Sequence, residues 1–262
     1  MVKPTKQEGA FLAQASYLMG KRDESKAKRT KNINNFLDEK ELDYVFLPEH
    51  SNSNISTFHK KDDPKNLTIA YRGTIPFTSP GRRSIQDFAT DVGFGVGLGR
   101  LQPDLKRRKE RTNDIIQELK PTNLNIVGHS LGGIAANYVV ANSKKVRRKL
   151  TSSQTYNAGF NPVANSGVAV SERNKEKLKD KVNHYIVKGD PISFGGRGEF
   201  AKDGVPFGTA TEQKHKYKKG MLDRGVAKFV MENTILGDLI GAGKATMKGL
   251  DAHDIKHFTG EN

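Results

Sequence analysis

The stretch NLNIVGHSLGGIAANYVV, residues 123–140, decides how this chain folds. Its first part, NLNIVG (123–128), is typical of a short buried strand, and the apolar residues from 131 onward recur at helical spacing. Ser130 stands between these two patterns, with a glycine two residues before it and another two residues after it. The stretch therefore predicts a strand, a sharp turn at the serine and a helix.

The two flanking glycines have a steric reason in such a turn. Gly128-His129-Ser130-Leu131-Gly132 fits the pattern G-x-S-x-G, in which a strained backbone lifts the serine hydroxyl clear of the sheet. Side chains at the glycine positions would collide with the turn, and the N-terminus of the following helix offers N–H groups to a developing oxyanion. We predict that Ser130 is a nucleophile; the alternative is a glycine-rich turn whose serine only caps a helix.

The rest of the chain alternates between strand and helix patterns. Residues 9–19 have helical periodicity, and we expect this helix to pack against the sheet. An antiparallel hairpin is predicted for ISTFHKK (55–61) and NLTIAYRG (66–73). Residues 21–32 are typical of a solvated charged segment. Further helices are predicted at 105–120 and 131–145, and further strands at 153–159 and 182–189. This alternation predicts an α/β fold with a mostly parallel sheet, which we expect to form one domain over residues 1–262.

Two motifs together resemble one enzyme family. IVGHSLGG (126–133) is similar to the nucleophile elbow of the class 3 lipases, the α/β-hydrolases typified by fungal triacylglycerol lipases. AYRGT (70–74), followed by SIQDFATDVGF (84–94), resembles the family's strand ending in RG-(S/T) and its D-(W/F)-x-x-D segment. The similarity runs from about residue 10 to about residue 258. It implies an α/β-hydrolase fold and a serine hydrolase that needs no metal and no organic cofactor.

The resemblance also implies an oxyanion hole and an acid. Thr74 would supply one backbone N–H, together with its hydroxyl, and Leu131 would supply the second N–H. In this fold the chain order of the catalytic triad is serine, acid, histidine. Asp190, in HYIVKGDP (184–191), matches the family's acid after a strand, and Asp203 is the weaker alternative.

The histidine of the triad is expected near the C-terminus. HDIKHF (253–258) resembles the family's terminal H-x-x-x-(Y/F) segment. The spacing permits His253 or His257, and the family's order favours His253 as the base. His129 is adjacent to the serine in sequence, but its side chain should point away from that of Ser130, so we expect it to pack or to lie at the surface rather than to act as the base.

In the same family a movable lid follows the RG-(S/T) strand. Residues 75–88 occupy this place, and the resemblance implies that they cover an apolar groove. Phe77, Ile85 and Phe88 would form the apolar side of the lid, next to Arg82 and Arg83. The alternative is an ordinary exposed loop.

The composition is strongly basic. The 262 residues include 44 Lys and Arg against 29 Asp and Glu, a formal net charge of +15, and no cysteine. The lack of cysteine excludes a disulfide scaffold and thiol chemistry. The charge predicts either a polyanionic partner or a generally solvated basic surface, and no zinc-finger, RNP or basic-zipper motif accompanies it. Charge alone does not choose between lipid and nucleic acid; the resemblance to lipases implies a lipid substrate at an anionic membrane surface, with nucleic acid as the alternative partner.

These inferences combine into one functional prediction. The chain is expected to be a phospholipase A1-like enzyme or triacylglycerol lipase that acts at a membrane surface. The alternatives are an esterase of small soluble esters and a non-catalytic module that binds nucleic acid or a partner protein. No run reaches the roughly 18 apolar residues of a transmembrane helix, and no signal peptide is visible. We expect a soluble protein, either cytoplasmic or exported by a route that the sequence does not show.

Overall fold

The computed structural model describes residues 3–19, 24–73, 98–158, 170–187, 207–213 and 254–260, with side chains from residue 103 onward in the helix that starts at 98. The helices are α1 (Lys6–Leu18), α2 (Lys26–Glu39), α3 (Leu98–Leu119), α4 (Leu131–Asn142), α5 (Lys144–Lys149), α6 (Glu172–Leu178) and α7 (Lys256–Thr259). The strands are β1 (Tyr44–Phe46), β2 (Ile55–Lys60), β3 (Asn66–Tyr71), β4 (Asn123–His129), β5 (Leu150–Tyr156), β6 (Val182–Val187) and β7 (Thr209–Gln213). A short 3₁₀ helix spans Pro48–His50.

The strands form one sheet in chain order, β1 to β7. Strand β2 runs antiparallel to its neighbours β1 and β3, and the strands from β3 to β7 are parallel. The predicted hairpin and the mostly parallel sheet are thus confirmed. All carboxyl ends of the parallel strands lie at one edge, which is where open α/β sheets bind their ligands.

Helices cover both faces of this sheet. One core cluster joins α3 and α4 to the sheet through residues such as Ile115, Val139 and Ile126. The second cluster packs α1 and α2 on the other face and includes Leu12 and Val127. Consecutive residues on β4 therefore bury side chains on opposite faces, as expected for a strand in the middle of an α/β sheet. None of the described helices is long and apolar enough to cross a membrane.

Three local features differ from the sequence-based expectations. The charged segment is helical from Lys26 onward because Ser25 caps α2 and the helix buries Ile33 and Leu37. The helix expected at 131–145 ends at Asn142, because the Ser143 hydroxyl accepts the N–H of Val146 and starts α5. Strands β1 and β7 were not predicted, since β1 has only three residues and β7 is a polar, exposed TATEQ.

Candidate active site

Ser130 occupies a sharp, strained turn between β4 and α4. Its backbone has φ 57° and ψ −126°, a conformation that L-residues rarely adopt. The turn is held from both sides, since the Ser130 N–H donates to the carbonyl of Tyr156 at 3.0 Å and the Ser130 carbonyl accepts the N–H of Gly133 at 2.9 Å. The predicted strand, turn and helix are therefore present, with the serine at the carboxyl edge of the sheet.

Both flanking glycines are required by close backbone contacts. A Cβ atom on Gly128 would lie 2.3 Å from the carbonyl oxygen of Gly132. A Cβ atom on Gly132 would lie 2.0 Å from the carbonyl oxygen of Tyr71, at the end of β3. The second contact shows that the elbow packs directly on the strand that leads to the RGT motif.

The hydroxyl of Ser130 lies at the N-terminus of α4. The side chain is 1% exposed, and among the described residues its Oγ atom has no hydrogen-bond partner. Leu131 is the first residue of α4, so its N–H belongs to the first turn, where backbone donors have no acceptor within the helix. An oxyanion next to Ser130 would face these donors.

The segment before Thr74 lies against the serine. Gly73 is buried, and a Cβ atom on it would lie 2.6 Å from the carbonyl oxygen of His129 and 3.3 Å from Cβ of Ser130. Thr74 itself and the candidate lid, 75–88, lie outside the described residues. Gly73 thus lies next to the elbow, and the oxyanion role of Thr74 stays a prediction.

Strand β6 leads toward the predicted acid. It pairs with β5 so that Tyr185 lies opposite Tyr156, the residue that binds the Ser130 N–H. The last residue of β6, Val187, donates its N–H to Oδ1 of Asn157 at 2.9 Å. Asp190 follows three residues later and, like Asp203, is outside the described part of the chain.

The C-terminal segment returns to the same edge of the sheet. Phe258 packs on Tyr156 with ring centroids 5.1 Å apart, and Gln7 of α1 donates to the carbonyl of Thr259. Burial is the main cause that raises the pKa of the Tyr17 phenol. The negative charge of Asp254 raises this pKa further. His253, which precedes Asp254, is not among the described residues.

Three histidines have described positions that bear on the choice of base. His257 is partly buried in α7, and its carbonyl accepts from Gln213 at 3.1 Å. His129 is 3% exposed, and its Nδ1 lies 2.8 Å from the hydroxyl of Tyr17. His184 is fully buried between Thr155 and the Phe207 carbonyl, where burial lowers its pKa to about 4. With both ring nitrogens of His184 in hydrogen bonds within the core, this histidine has a structural role and is not the catalytic base.

Tyr17 is a residue of this site that the sequence did not reveal. It lies in the last turn of α1, its hydroxyl would lie 2.4 Å from a Cβ atom on Gly73, and the same hydroxyl lies 2.8 Å from Nδ1 of His129. No motif marks it, because 112 residues separate it from His129 along the chain. Within the described ranges, no group of three or more His, Asp and Glu side chains is arranged to hold a metal ion.

Comparison with known proteins bears on both family and fold. The sequence profile of a phospholipase-like family, the Tle-like phospholipase domain, matches residues 8–242. No curated protein sequence matches the chain. The structure is similar to that of M37 lipase, with 15% identity over 73% of this chain and 70% of that one and a TM-score of 0.51. It is also similar to a lipase from Rhizopus microsporus var. chinensis, with 15% identity over 84% and 78% of the two chains and a TM-score of 0.46.

These findings agree with the motifs and the sheet. The likeness to M37 lipase supports the α/β-hydrolase fold alone, since the identity is low. The family profile spans most of the chain and includes both the RGT segment and the elbow. Family and fold together place the chain among the hydrolases of lipid esters. The expected membership of a lipase-like family is thus confirmed, and the chain belongs to the family of Tle-like phospholipase domains.

Proposed function

We propose that this protein hydrolyses the carboxylic esters of membrane phospholipids with Ser130 as nucleophile. The observation that carries the proposal is the backbone of Ser130, held at φ 57° at the N-terminus of α4 in a chain of the phospholipase-like family. Such strain persists where the surrounding structure over-determines it, and it is common at active sites. A serine that merely capped the helix would accept a backbone N–H, and Ser130 has no such side-chain bond.

The proposed reaction is a two-step acyl transfer. His253 takes the proton from Ser130 Oγ as this atom bonds to the ester carbon, and the proton then passes to the leaving lysophospholipid alcohol as its C–O bond breaks. A water molecule next attacks the acyl-enzyme and gives its proton to the histidine, which returns this proton to Ser130 Oγ as the bond between Oγ and the acyl carbon breaks and the fatty acid leaves. Asp190 orients the imidazole, and the N–H groups of Thr74 and Leu131 stabilise the oxyanion.

The membrane surface is proposed as the place of action. The formal net charge of +15 favours approach to anionic headgroups, and the family description names phospholipid as the substrate class. Release of the acyl group at the first glycerol position would identify a phospholipase A1-like activity. Hydrolysis of triacylglycerol, or of soluble esters only, would instead identify the other substrate classes.

The nucleophile is tested with a fluorophosphonate probe on the wild type and on Ser130→Ala. We expect one adduct, on the peptide that contains Ser130, and none in the variant, whose ester turnover falls to background while its fold is retained. Mass spectrometry locates the adduct, and anionic phosphatidylglycerol vesicles are added in parallel in case a lid limits access. Normal turnover by Ser130→Ala would refute the proposal.

The base is assigned by comparing His253→Ala with His257→Ala. We expect the first to lose turnover and the second to retain most of it, measured on the same vesicles. Loss in His257→Ala alone would transfer the role to His257, which the spacing of the C-terminal motif also permits.

A further inference from the structure

Tyr17 joins two segments of the candidate site that are far apart in sequence. Its phenol oxygen lies against Gly73, at the end of the RGT strand (β3 with Arg72 and Gly73), where a Cβ atom would come within 2.4 Å of it. The same hydroxyl lies 2.8 Å from Nδ1 of His129, the residue before the candidate nucleophile. Tyr17 therefore contacts both segments that would carry the oxyanion donors.

A hydrogen bond joins the phenol of Tyr17 to the imidazole of His129. Burial raises the pKa of Tyr17 well above its ordinary value, so the hydroxyl stays protonated. Whichever of the two groups donates, the 2.8 Å contact between the hydroxyl and Nδ1 holds the imidazole of His129 in one orientation.

The contact leaves little space for displacement. A Cβ atom on Gly73 would lie 2.4 Å from the Tyr17 hydroxyl and 2.6 Å from the carbonyl oxygen of His129. Tyr17, Gly73 and the elbow are thus packed at van der Waals distance. The phenol is thus in direct contact with both the end of the RGT strand and the elbow.

The start of α1, the helix that carries Tyr17, is bound to strand β5. Gln154 of β5 donates to the carbonyl of Pro4 at 2.8 Å, and the hydroxyl of Tyr156 donates to the carbonyl of Lys6 at 2.7 Å. Tyr156 is also the residue whose carbonyl binds the Ser130 N–H. The first turn of α1 and the elbow are therefore attached to the same residue of β5.

The RGT strand is held from the opposite face of the sheet as well. Arg108 of α3 is 6% exposed, and its Nη1 donates to the carbonyl of Arg72 at 2.7 Å. Its Nε donates to Asp104 at 2.7 Å, which fixes the guanidinium. Arg72 and Gly73 are thus each contacted by a side chain from a different helix.

We infer that Tyr17 is a positioning residue of the active site, which sets the distance between the RGT strand and the elbow and thereby aligns the two proposed oxyanion N–H donors. The inference rests on the proposed function, since it assigns Tyr17 a role in transition-state stabilisation. Misplacement of catalytic groups by about 1 Å costs on the order of a hundredfold in rate.

The test compares Tyr17→Phe with Tyr71→Phe, using p-nitrophenyl butyrate as substrate. Tyr71 is the matched control, because its buried hydroxyl also makes a hydrogen bond, to Thr112 of α3 at 2.5 Å, on the face of the sheet opposite to α1. In Tyr17→Phe we expect kcat to fall by about tenfold or more and KM to stay within about twofold. The inhibition constant of butylboronic acid, which mimics the tetrahedral oxyanion, should rise by a similar factor, while Tyr71→Phe keeps both values near the wild type.

A second pair of variants tests the partner of Tyr17. His129→Gln retains a hydrogen-bond acceptor for the phenol and should keep more of kcat than His129→Leu, which removes it. This pair also decides the matter if Tyr17→Phe does not fold.

Two results would overturn the positioning role. One is a wild-type kcat and boronate affinity in Tyr17→Phe, and the other is a loss of rate that follows the loss of thermal stability equally in Tyr17→Phe and Tyr71→Phe. Failure of the proposed function looks different, because the wild type itself would then show neither turnover nor labelling at Ser130, and both proposals would fall.

Discussion

Ser130 combines a rare backbone conformation with a position at the start of a helix. The φ of 57° and ψ of −126° are adopted easily by glycine and at a cost of about 1–3 kcal/mol by other residues. Packing around the turn offsets this conformational strain, and Gly128 and Gly132 lie close to backbone atoms of their neighbours there. These two glycines were identified in the sequence because the steric requirement is local to five residues.

The strain at Ser130 predicts an order of stability between two inactive variants. Ser130→Gly relieves the backbone and should unfold with a free energy about 1 kcal/mol higher than Ser130→Ala. Urea denaturation of both variants measures the difference, and ester turnover checks that both are inactive. If Ser130→Ala is equally stable or more stable, the backbone of the elbow is not strained.

At the scale of the elements, buried polar groups join the strands beyond β4. His184 on β6 lies 2.7 Å from the Thr155 hydroxyl on β5, and its Nε2 lies 2.9 Å from the carbonyl of Phe207, just before β7. Since a carbonyl only accepts, Nε2 carries the proton and Nδ1 accepts from Thr155. The neutral imidazole therefore connects β6 to its neighbours on both sides.

This burial predicts a loss of stability in acid. Burial lowers the pKa of His184 from 6.5 to about 4, so between these values the unfolded chain binds a proton that the folded protein does not. Stability is then fully present above about pH 6.5 and falls as the pH decreases toward 4; from pH 7 to pH 5 the loss from this group is about 2 kcal/mol. Urea unfolding of the wild type and of His184→Gln at both pH values measures it. An equal pH dependence in the two proteins would contradict the prediction.

At the scale of the whole molecule, one group of cations lies far from the candidate site. Helix α5 exposes Lys144, Lys145, Arg148 and Lys149, and none of these forms a salt bridge with a carboxylate of the described residues. The helix precedes β5 at its amino end, whereas Ser130 is bound to the carboxyl end of that strand. Seven strand residues separate the two ends by about 20 Å.

Reversing these four charges should therefore leave vesicle hydrolysis within about twofold of the wild type at 0.15 M salt, where the screening length is about 8 Å. We assay one variant on phosphatidylglycerol vesicles, in which all four residues are replaced by glutamate: Lys144→Glu, Lys145→Glu, Arg148→Glu and Lys149→Glu. Its unfolding curve controls for stability. A loss of tenfold or more, in a stable variant, would show that this end of the molecule takes part in binding the membrane.

The sequence by itself determined the features whose physical cause lies within a few neighbouring residues. The strand, elbow and helix around Ser130 follow from apolar spacing and from two glycines that backbone contacts require, and the hairpin of β2 and β3 follows from its turn residues. Strands β1 and β7 were not predicted. Strand β1 is too short, and β7 too polar, to show the alternation of apolar and polar residues that marks a strand. The motifs also sufficed to indicate the family, since the RGT segment and the elbow occur in the expected order.

The tertiary structure alone decided which distant side chains surround the elbow. Tyr17, Gly73 and Arg108 meet there because α1 and α3 pack on opposite faces of the sheet and both reach the end of β3. Neither residue spacing nor composition encodes such contacts, since hydrophobic burial brings the helices to the sheet without marking which polar groups will then pair. The hydrogen-bond demand of buried polar groups selects the pairs only after packing has placed them side by side.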